Sequence, residues 1–380
     1  MKIGFDAKRA FHNFRGLGHY SRNLIDGLNN SYDDLDLFLF SPESSSEITL
    51  SWAESLKRTE IIFPENYLSK KCSSLWRSLF LSSVLKKNEL DIYHGLSHEL
   101  PPGIKNKVRA SVVTIHDLIF LRFPQFFPWV DRQVYLKKYK ASCRRADLVV
   151  AICENTKSDL INLLGVPSEK IRVAYQSCHT LFEKIYSQVD LYKGLDRLNL
   201  PKNYFLQIGA IEENKNLLLS LRAFGKIQKE FPDLFFVVVG GNGNKDYKDK
   251  VNREIKNLNI TNKVIFKSFI QNSDLPFLYQ GAKSLIFPSF YEGFGIPIIE
   301  SMVSGTPVIT SKGGCFRESG GPHNLYIDPH SEDDLASAML SLLTNEKLRL
   351  NITKKNSDFV KKFHWKNTSK VIRGIYQEVL

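Results

Sequence analysis

The residues best suited to chemistry lie in one stretch, Glu292-Gly293-Phe294-Gly295 followed by Glu300. Glycine lets a backbone approach a ligand closely and accepts positive φ at no steric cost. Carboxylates in a loop and on the helix after it accept hydrogen bonds from neighbouring hydroxyls, as a sugar or a ribose presents them. Amides at a helix start favour an anion, with phosphate the usual guest. Phosphate on the amides and hydroxyls on the carboxylates together describe a nucleotide sugar. The bland alternative is an ordinary strand-to-helix turn with two surface glutamates, and the residues alone leave both readings open.

The flanking sequence predicts the elements that would position this stretch. Leu285-Ile286-Phe287 reads as a buried strand of a parallel sheet. Pro297 suits the first turn of a helix, Ile298, Ile299 and Met302 give it an apolar side, and Gly305 ends it. Pro307-Val308-Ile309 opens the next strand.

Glu292 to Val308, EGFGIPIIESMVSGTPV, resembles the signature of family 4 retaining glycosyltransferases with the GT-B fold. That pattern runs Glu, Gly-Phe-Gly-x-Pro, a second Glu, then Gly-Thr-Pro-Val. The resemblance implies that Glu292 contacts donor-sugar hydroxyls, that Gly293, Phe294 and Gly295 lie near sugar and phosphate, and that Glu300 holds the ribose. Further upstream, Lys215 in QIGAIEENKNLLL matches the lysine of a family loop that usually reads Glu-Pro-Arg-Lys-Asn and reaches the donor phosphates. A cation there stabilises charge growing on the leaving diphosphate. Asn214 stands where an arginine is common, and Ala210 where some members have arginine. A second phosphate cation must then come from elsewhere, with Arg15 and Arg317 as candidates.

VTIHDLIFLRFPQFFP resembles another segment of the family, in which the histidine lies next to the donor sugar; that role falls on His116, with Asp117 beside it. His94 and His98 are weaker candidates. GLGHYSRNLIDGL resembles the glycine loop and helix that close over the donor diphosphate, which makes Gly16 and Gly18 binding candidates. Phe269 and Ile270 fall in the loop that often holds the base. After Ile171–Tyr175 the family usually continues Asn-Gly-Val-Asp; here the run is Gln176-Ser177-Cys178-His179, a departure at the hinge.

Two domains suit a chain of 380 residues. The expected fold class is α/β: a GT-B fold, two Rossmann-like domains with parallel sheets facing across a cleft. Strands alternating with helices run through 1–180, an aperiodic linker covers 181–203, and a second series covers 204–364. The helix 365–380 is expected to cross back onto the first domain, as the fold commonly does. Asn155 is expected to cap the helix running to Leu164. Ser331 and Asp334 read as a capping box. Gly240-Gly241-Asn242-Gly243 is a turn on the rim that completes no dinucleotide fingerprint.

Composition narrows the setting. A 43% hydrophobic and 24% charged chain is ordinary for a globular protein. Five scattered cysteines form no metal-ligand pattern and favour a reducing compartment. The N-terminus lacks a signal-peptide core, and no apolar run is long enough to span a bilayer, so a cytoplasmic protein is expected. Asp34-Leu35-Asp36 precedes its strand rather than following it, the wrong end for a site, and no metal is expected. The net charge of +12 is compatible with nucleic acid, an anionic membrane face or an acidic ligand. No nucleic-acid motif accompanies it. Asn66 to Lys87 reads as a basic helix with an aromatic face, and a second basic segment, Arg132 to Arg145, follows FPQFFPW. Both suit peripheral contact with the inner face of the plasma membrane.

The resemblance therefore implies transfer of a sugar from a nucleoside diphosphate donor, GDP-mannose favoured, with retention of configuration. In the front-face mechanism usually proposed, the leaving phosphate takes the acceptor's proton, and no protein base is needed. The expected acceptor is a glycan on a lipid carrier in bacterial surface polysaccharide assembly. A GT-B enzyme acting on a soluble acceptor, or a catalytically idle scaffold of the same fold, remain the alternatives.

Overall fold

A computed structural model describes residues 1–43, 46–64, 81–241 and 243–380. Most of the basic segment Asn66–Lys87, together with Cys72 and Asn242, lies outside the described residues; Leu81–Lys87 is helical. The chain divides into two compact units: residues 1–177 with 363–380, and residues 178–362.

The first unit is built on a seven-stranded sheet ordered β3-β2-β1-β4-β5-β6-β7, every neighbouring pair parallel. Its strands are β1 (Lys2–Asp6), β2 (Asp36–Phe40), β3 (Thr59–Ile62), β4 (Ile92–Gly95), β5 (Ala110–Ile115), β6 (Leu148–Ala151) and β7 (Ile171–Val173). A parallel sheet must be covered on both faces, and β4, β5 and β6 are accordingly buried throughout. The strand order reverses between β1 and β4, the switch point where ligands bind in open α/β sheets. The helix Gly16–Ser31 follows β1, and the helix Trp365–Val379 packs against it.

The second unit repeats the plan with a six-stranded parallel sheet ordered β10-β9-β8-β11-β12-β13. Its strands are β8 (Tyr204–Ile208), β9 (Phe235–Val239), β10 (Val264–Lys267), β11 (Leu285–Phe287), β12 (Val308–Ser311) and β13 (Leu325–Ile327). Phe205, Phe224 and Phe236 are fully buried in its core, with the last two rings 5.4 Å apart. Each such ring withdrawn from water contributes about 1.5–3 kcal/mol. The switch point here falls between β8 and β11.

Several local readings need correction. The stretch read as an aperiodic linker carries the helix Gln188–Arg197, capped by Ser187, whose side chain accepts from the Asp190 amide at 3.1 Å. Val189, Tyr192 and Leu195 recur at helical spacing in it, although only Gly194 and Leu195 are buried. Asn155 does not cap the helix Glu154–Leu164. Its cap lies two residues earlier, at Cys153, whose Sγ accepts from the Thr156 amide. Ser331 caps its helix through the Asp334 amide, but Asp334 turns away to accept from the Asp328 amide, so the box is one-sided. Asp34 and Asp36 are occupied by ion pairs with Arg373 and Arg58.

Candidate functional site

In the second unit, two loops meet at the switch point. A short 3-10 turn, Glu213–Lys215, follows β8. Asn216 then takes a left-handed conformation, φ 56°, and starts the helix Leu217–Gln228. Its side-chain amide donates to the carbonyls of Pro288, at the end of β11, and Pro329. The Phe290 amide donates to Asn214 O at 2.9 Å. These bonds join the β8 loop to the β11 loop, and the two functional side chains meet as a result: Lys215 Nζ donates to Glu292 Oε1 at 2.5 Å. The side chains are 21% and 14% exposed, so the pair is partly shielded yet reachable. The lysine offers three donors and this bond uses one, leaving capacity for an anion. Cys315 Sγ holds the Glu292 carbonyl at 3.2 Å.

Gly295 shows why a glycine stands at the start of the helix Ile296–Val303. Its φ of +91° lies in the left-handed region, and a Cβ would sit 3.1 Å from Ile298 Cδ1. Pro297 occupies the first turn. Phe294 is buried, which leaves its backbone rather than its ring as the part able to meet a ligand. Glu300 lies on this helix and its Oε2 accepts from the Tyr279 hydroxyl at 2.7 Å. Burial raises the Glu300 pKa to about 7, although the Tyr279 bond opposes the rise. Phe269 follows β10 and is 79% exposed. Two strands, β9 and β8, separate β10 from β11. Arg317 lies over the Tyr326 ring at 4.5 Å.

In the first unit, His116 follows β5 and is buried. Its Nε2–H donates to Leu96 O at 2.8 Å, because a carbonyl can only accept. Nδ1 is then the acceptor of the neutral ring, and it receives the Gln176 side-chain amide at 3.1 Å. Tyr20 stands edge-on to the ring, with centroids 4.6 Å apart. His98 lies 5.0 Å away on another side and stacks on Tyr139. Burial, helped by the nearby Arg9 guanidinium, pulls the His116 pKa down to about 4 against the Leu96 bond, which raises it. His94 forms a second buried network: Nδ1 bonds the Tyr376 hydroxyl at 2.7 Å and Nε2 bonds Thr114 Oγ1 at 2.8 Å. Thr114 Oγ1 in turn bonds the Tyr20 hydroxyl at 3.0 Å.

Gly16 opens the helix Gly16–Ser31 with free space around its Cα. Gly18 is required by packing, since a Cβ would fall 1.6 Å from Asn13 O. Sequence reasoning missed Asn216, Tyr279, Gln176 and Tyr376. Of these, Asn216 directly after Lys215 and Gln176 at the departure from the family pattern carried a local signal. Among the described residues no cluster of histidine, cysteine and carboxylates could hold a metal ion, and no helix is long and apolar enough to cross a membrane.

Residues 14–180 match the family described as Glycosyltransferase Family 4, and residues 194–359 match that described as Glycosyl transferases group 1. The chain belongs to the group 1 / family 4 glycosyltransferases, and its two parallel sheets are those of the GT-B fold. It is similar to the O-antigen chain mannosyltransferase B of Escherichia coli, 26% identical over 97% of each chain. It is also similar to the O-antigen chain mannosyltransferase RfbU of Salmonella typhimurium, 29% identical over 62% of this chain and 61% of that one. Among solved structures, Anabaena Alr3699/HepE in complex with UDP and glucose aligns over 100% of both chains, with a TM-score of 0.77 at 19% identity.

Proposed function

We propose that this enzyme transfers a mannosyl residue from GDP-mannose to a lipid-linked glycan in the assembly of a bacterial surface polysaccharide such as O-antigen, with retention of anomeric configuration. The observation that carries the reading is the Lys215–Glu292 pair, which sets a cation for diphosphate and a carboxylate for sugar hydroxyls within one bond of each other at the β8–β11 switch point. Support for mannose and for O-antigen comes from the names of the two bacterial relatives.

In this reading Lys215 holds the diphosphate and stabilises the charge it gains on leaving. Glu292 accepts from donor-sugar hydroxyls, the Gly293–Gly295 backbone lies along sugar and phosphate, and Glu300 accepts from the ribose. Phe269 lies beside the base. Gly16 and Gly18, in the first turn of the helix Gly16–Ser31, lie toward the diphosphate, and His116 lines the sugar site. With both ring nitrogens engaged within the protein and its pKa near 4, His116 stays neutral and shapes the sugar site with its ring rather than acting as a base. The leaving phosphate accepts the acceptor's proton, and no metal takes part.

Membrane contact belongs to the same proposal. The helix Trp129–Arg145 exposes Trp129 and Val130 and carries Arg132, Lys137, Lys138, Lys140, Arg144 and Arg145, a composition that favours an anionic lipid surface at the cytoplasmic face.

The test is a thermal-shift screen of GDP, UDP, dTDP and CDP with their sugar conjugates, with and without EDTA, followed by transfer assays on lipid-linked acceptors. A ligand that binds the native state raises the melting temperature. A shift selective for GDP-mannose that EDTA leaves intact supports the donor. Selectivity for another nucleotide overturns the choice of donor, and silence toward all of them favours the idle scaffold.

A further inference from the structure

His116 is held by contacts from four directions, and one of them is of a different kind. Leu96 O, Tyr20 and His98 belong to the loop after β4 and to the helix after β1. Gln176 belongs to the segment after β7, and the first unit's leading segment ends one residue later, at Ser177. Gln176 is thus the next-to-last residue before the chain crosses to the second unit, and its amide caps the basic nitrogen of the neutral imidazole. Its backbone neighbours are pinned on both sides. Asn23, on the helix Gly16–Ser31, donates to Ser177 O at 3.3 Å. Thr368, on the helix Trp365–Val379, donates to Tyr175 O at 3.0 Å. Gln176 itself is buried.

We propose that Gln176 is a positioning residue for His116: its amide fixes the neutral Nε2–H tautomer and ring orientation, and ties both to the point where the chain leaves the first unit. The proposal rests on the reading of His116 as lining the donor-sugar site. Its chemistry is specific to an amide. An imidazole held by a carbonyl at Nε2 needs a donor at Nδ1, and a buried Nδ1 with no donor costs a desolvated lone pair. Gln176 supplies that donor without bringing a charge. The groups facing the ring are Arg9, His98, His94 and Tyr20, and none is a carboxylate; the Leu96 carbonyl favours a protonated imidazole, but burial outweighs it.

The experiment reads the ring nitrogens of His116 by nitrogen-15 NMR in the full chain, in wild type, Gln176→Met and Gln176→Glu. In wild type the spectrum should show a protonated Nε2 and a hydrogen-bonded, unprotonated Nδ1 that holds through neutral pH. Gln176→Met should move the Nδ1 resonance to that of an unbonded nitrogen. Transfer kcat/KM should fall by up to about a hundred-fold, the usual scale for a misplaced contact. Binding of free GDP, which has no sugar, should be unchanged. Gln176→Glu places an anion at Nδ1 and should raise the pH at which His116 titrates. Unchanged Nδ1 resonances in both variants overturn the proposal, as does full transfer activity in a Gln176→Met protein whose Nδ1 has moved. A wild-type protein that transfers no sugar would remove the functional reading, while the resonances would still decide whether Gln176 fixes the tautomer.

Discussion

The Tyr279 hydroxyl donates to Glu300 Oε2 across 2.7 Å, joining the helix Leu275–Gly281 to the helix that follows the glycine loop. The bond favours the ionised carboxylate, but burial outweighs it and holds the pKa at about 7. Ribose hydroxyls donate best to the ionised form. Affinity for a sugar nucleotide should therefore rise with pH through about 7 and level off above it. Calorimetric titrations on either side of neutrality should show this rise, and Glu300→Gln should flatten it. A slope that survives the substitution would take Glu300 out of the nucleotide site.

The same group sets a trend in stability. Its folded pKa of about 7 lies above the ordinary value of 4.5, so the folded state retains a proton that the unfolded chain has released. The stabilisation is complete below 4.5 and is lost as pH rises through about 7. Denaturation midpoints across that range should fall less steeply in Glu300→Gln than in wild type.

Lys215→Met and Glu292→Gln should each lower transfer by about a hundred- to a thousand-fold, the scale of losing one preorganised electrostatic contact. Each should also lower the melting temperature, because the remaining partner stays partly shielded without its counter-charge. The double variant should be destabilised by less than the sum of the two, as expected for side chains in direct contact. Strict additivity in a double-mutant cycle would show that the pair does not form in solution.

Tyr376→Phe removes the partner of His94 Nδ1 in a fully buried site. The expected cost is about 1–3 kcal/mol, read from urea unfolding. A variant as stable as wild type would mean that another donor reaches the histidine.

If the helix Trp129–Arg145 meets a bilayer, the protein should sediment with anionic vesicles, less so as salt rises, and not with neutral ones. Trp129→Ala with Lys137→Glu should weaken this while leaving transfer to a short soluble acceptor analogue intact. Equal sedimentation of wild type and variant would direct attention to another surface.

Much of this organisation was legible because it is local. Leu285-Ile286-Phe287 announces a buried strand, and Pro297 with Gly305 brackets the helix after it. Lys215 and Glu292 each follow an apolar strand, which is enough to place both at the same end of a parallel sheet. Their direct pairing was not legible, since it depends on Asn216 bonding two proline carbonyls far along the chain. Tyr376 lies 282 positions from His94, and no periodicity reports a contact of that separation. Gln176 could be noticed only as a departure from a pattern; its amide on His116 needed coordinates. The helix Gln188–Arg197 was legible too, from the Ser187 cap and from Val189, Tyr192 and Leu195 at helical spacing, and was passed over.

The return of the helix Trp365–Val379 to the first unit gives synthesis an unequal schedule. Residues 178–362 form an uninterrupted unit that can complete its core while translation continues. The unit begun first waits for the piece that closes it, and until then the Nδ1 side of His94 has no Tyr376. A nascent chain arrested after Lys362 should yield a protease-resistant second unit and a first unit still open to cleavage.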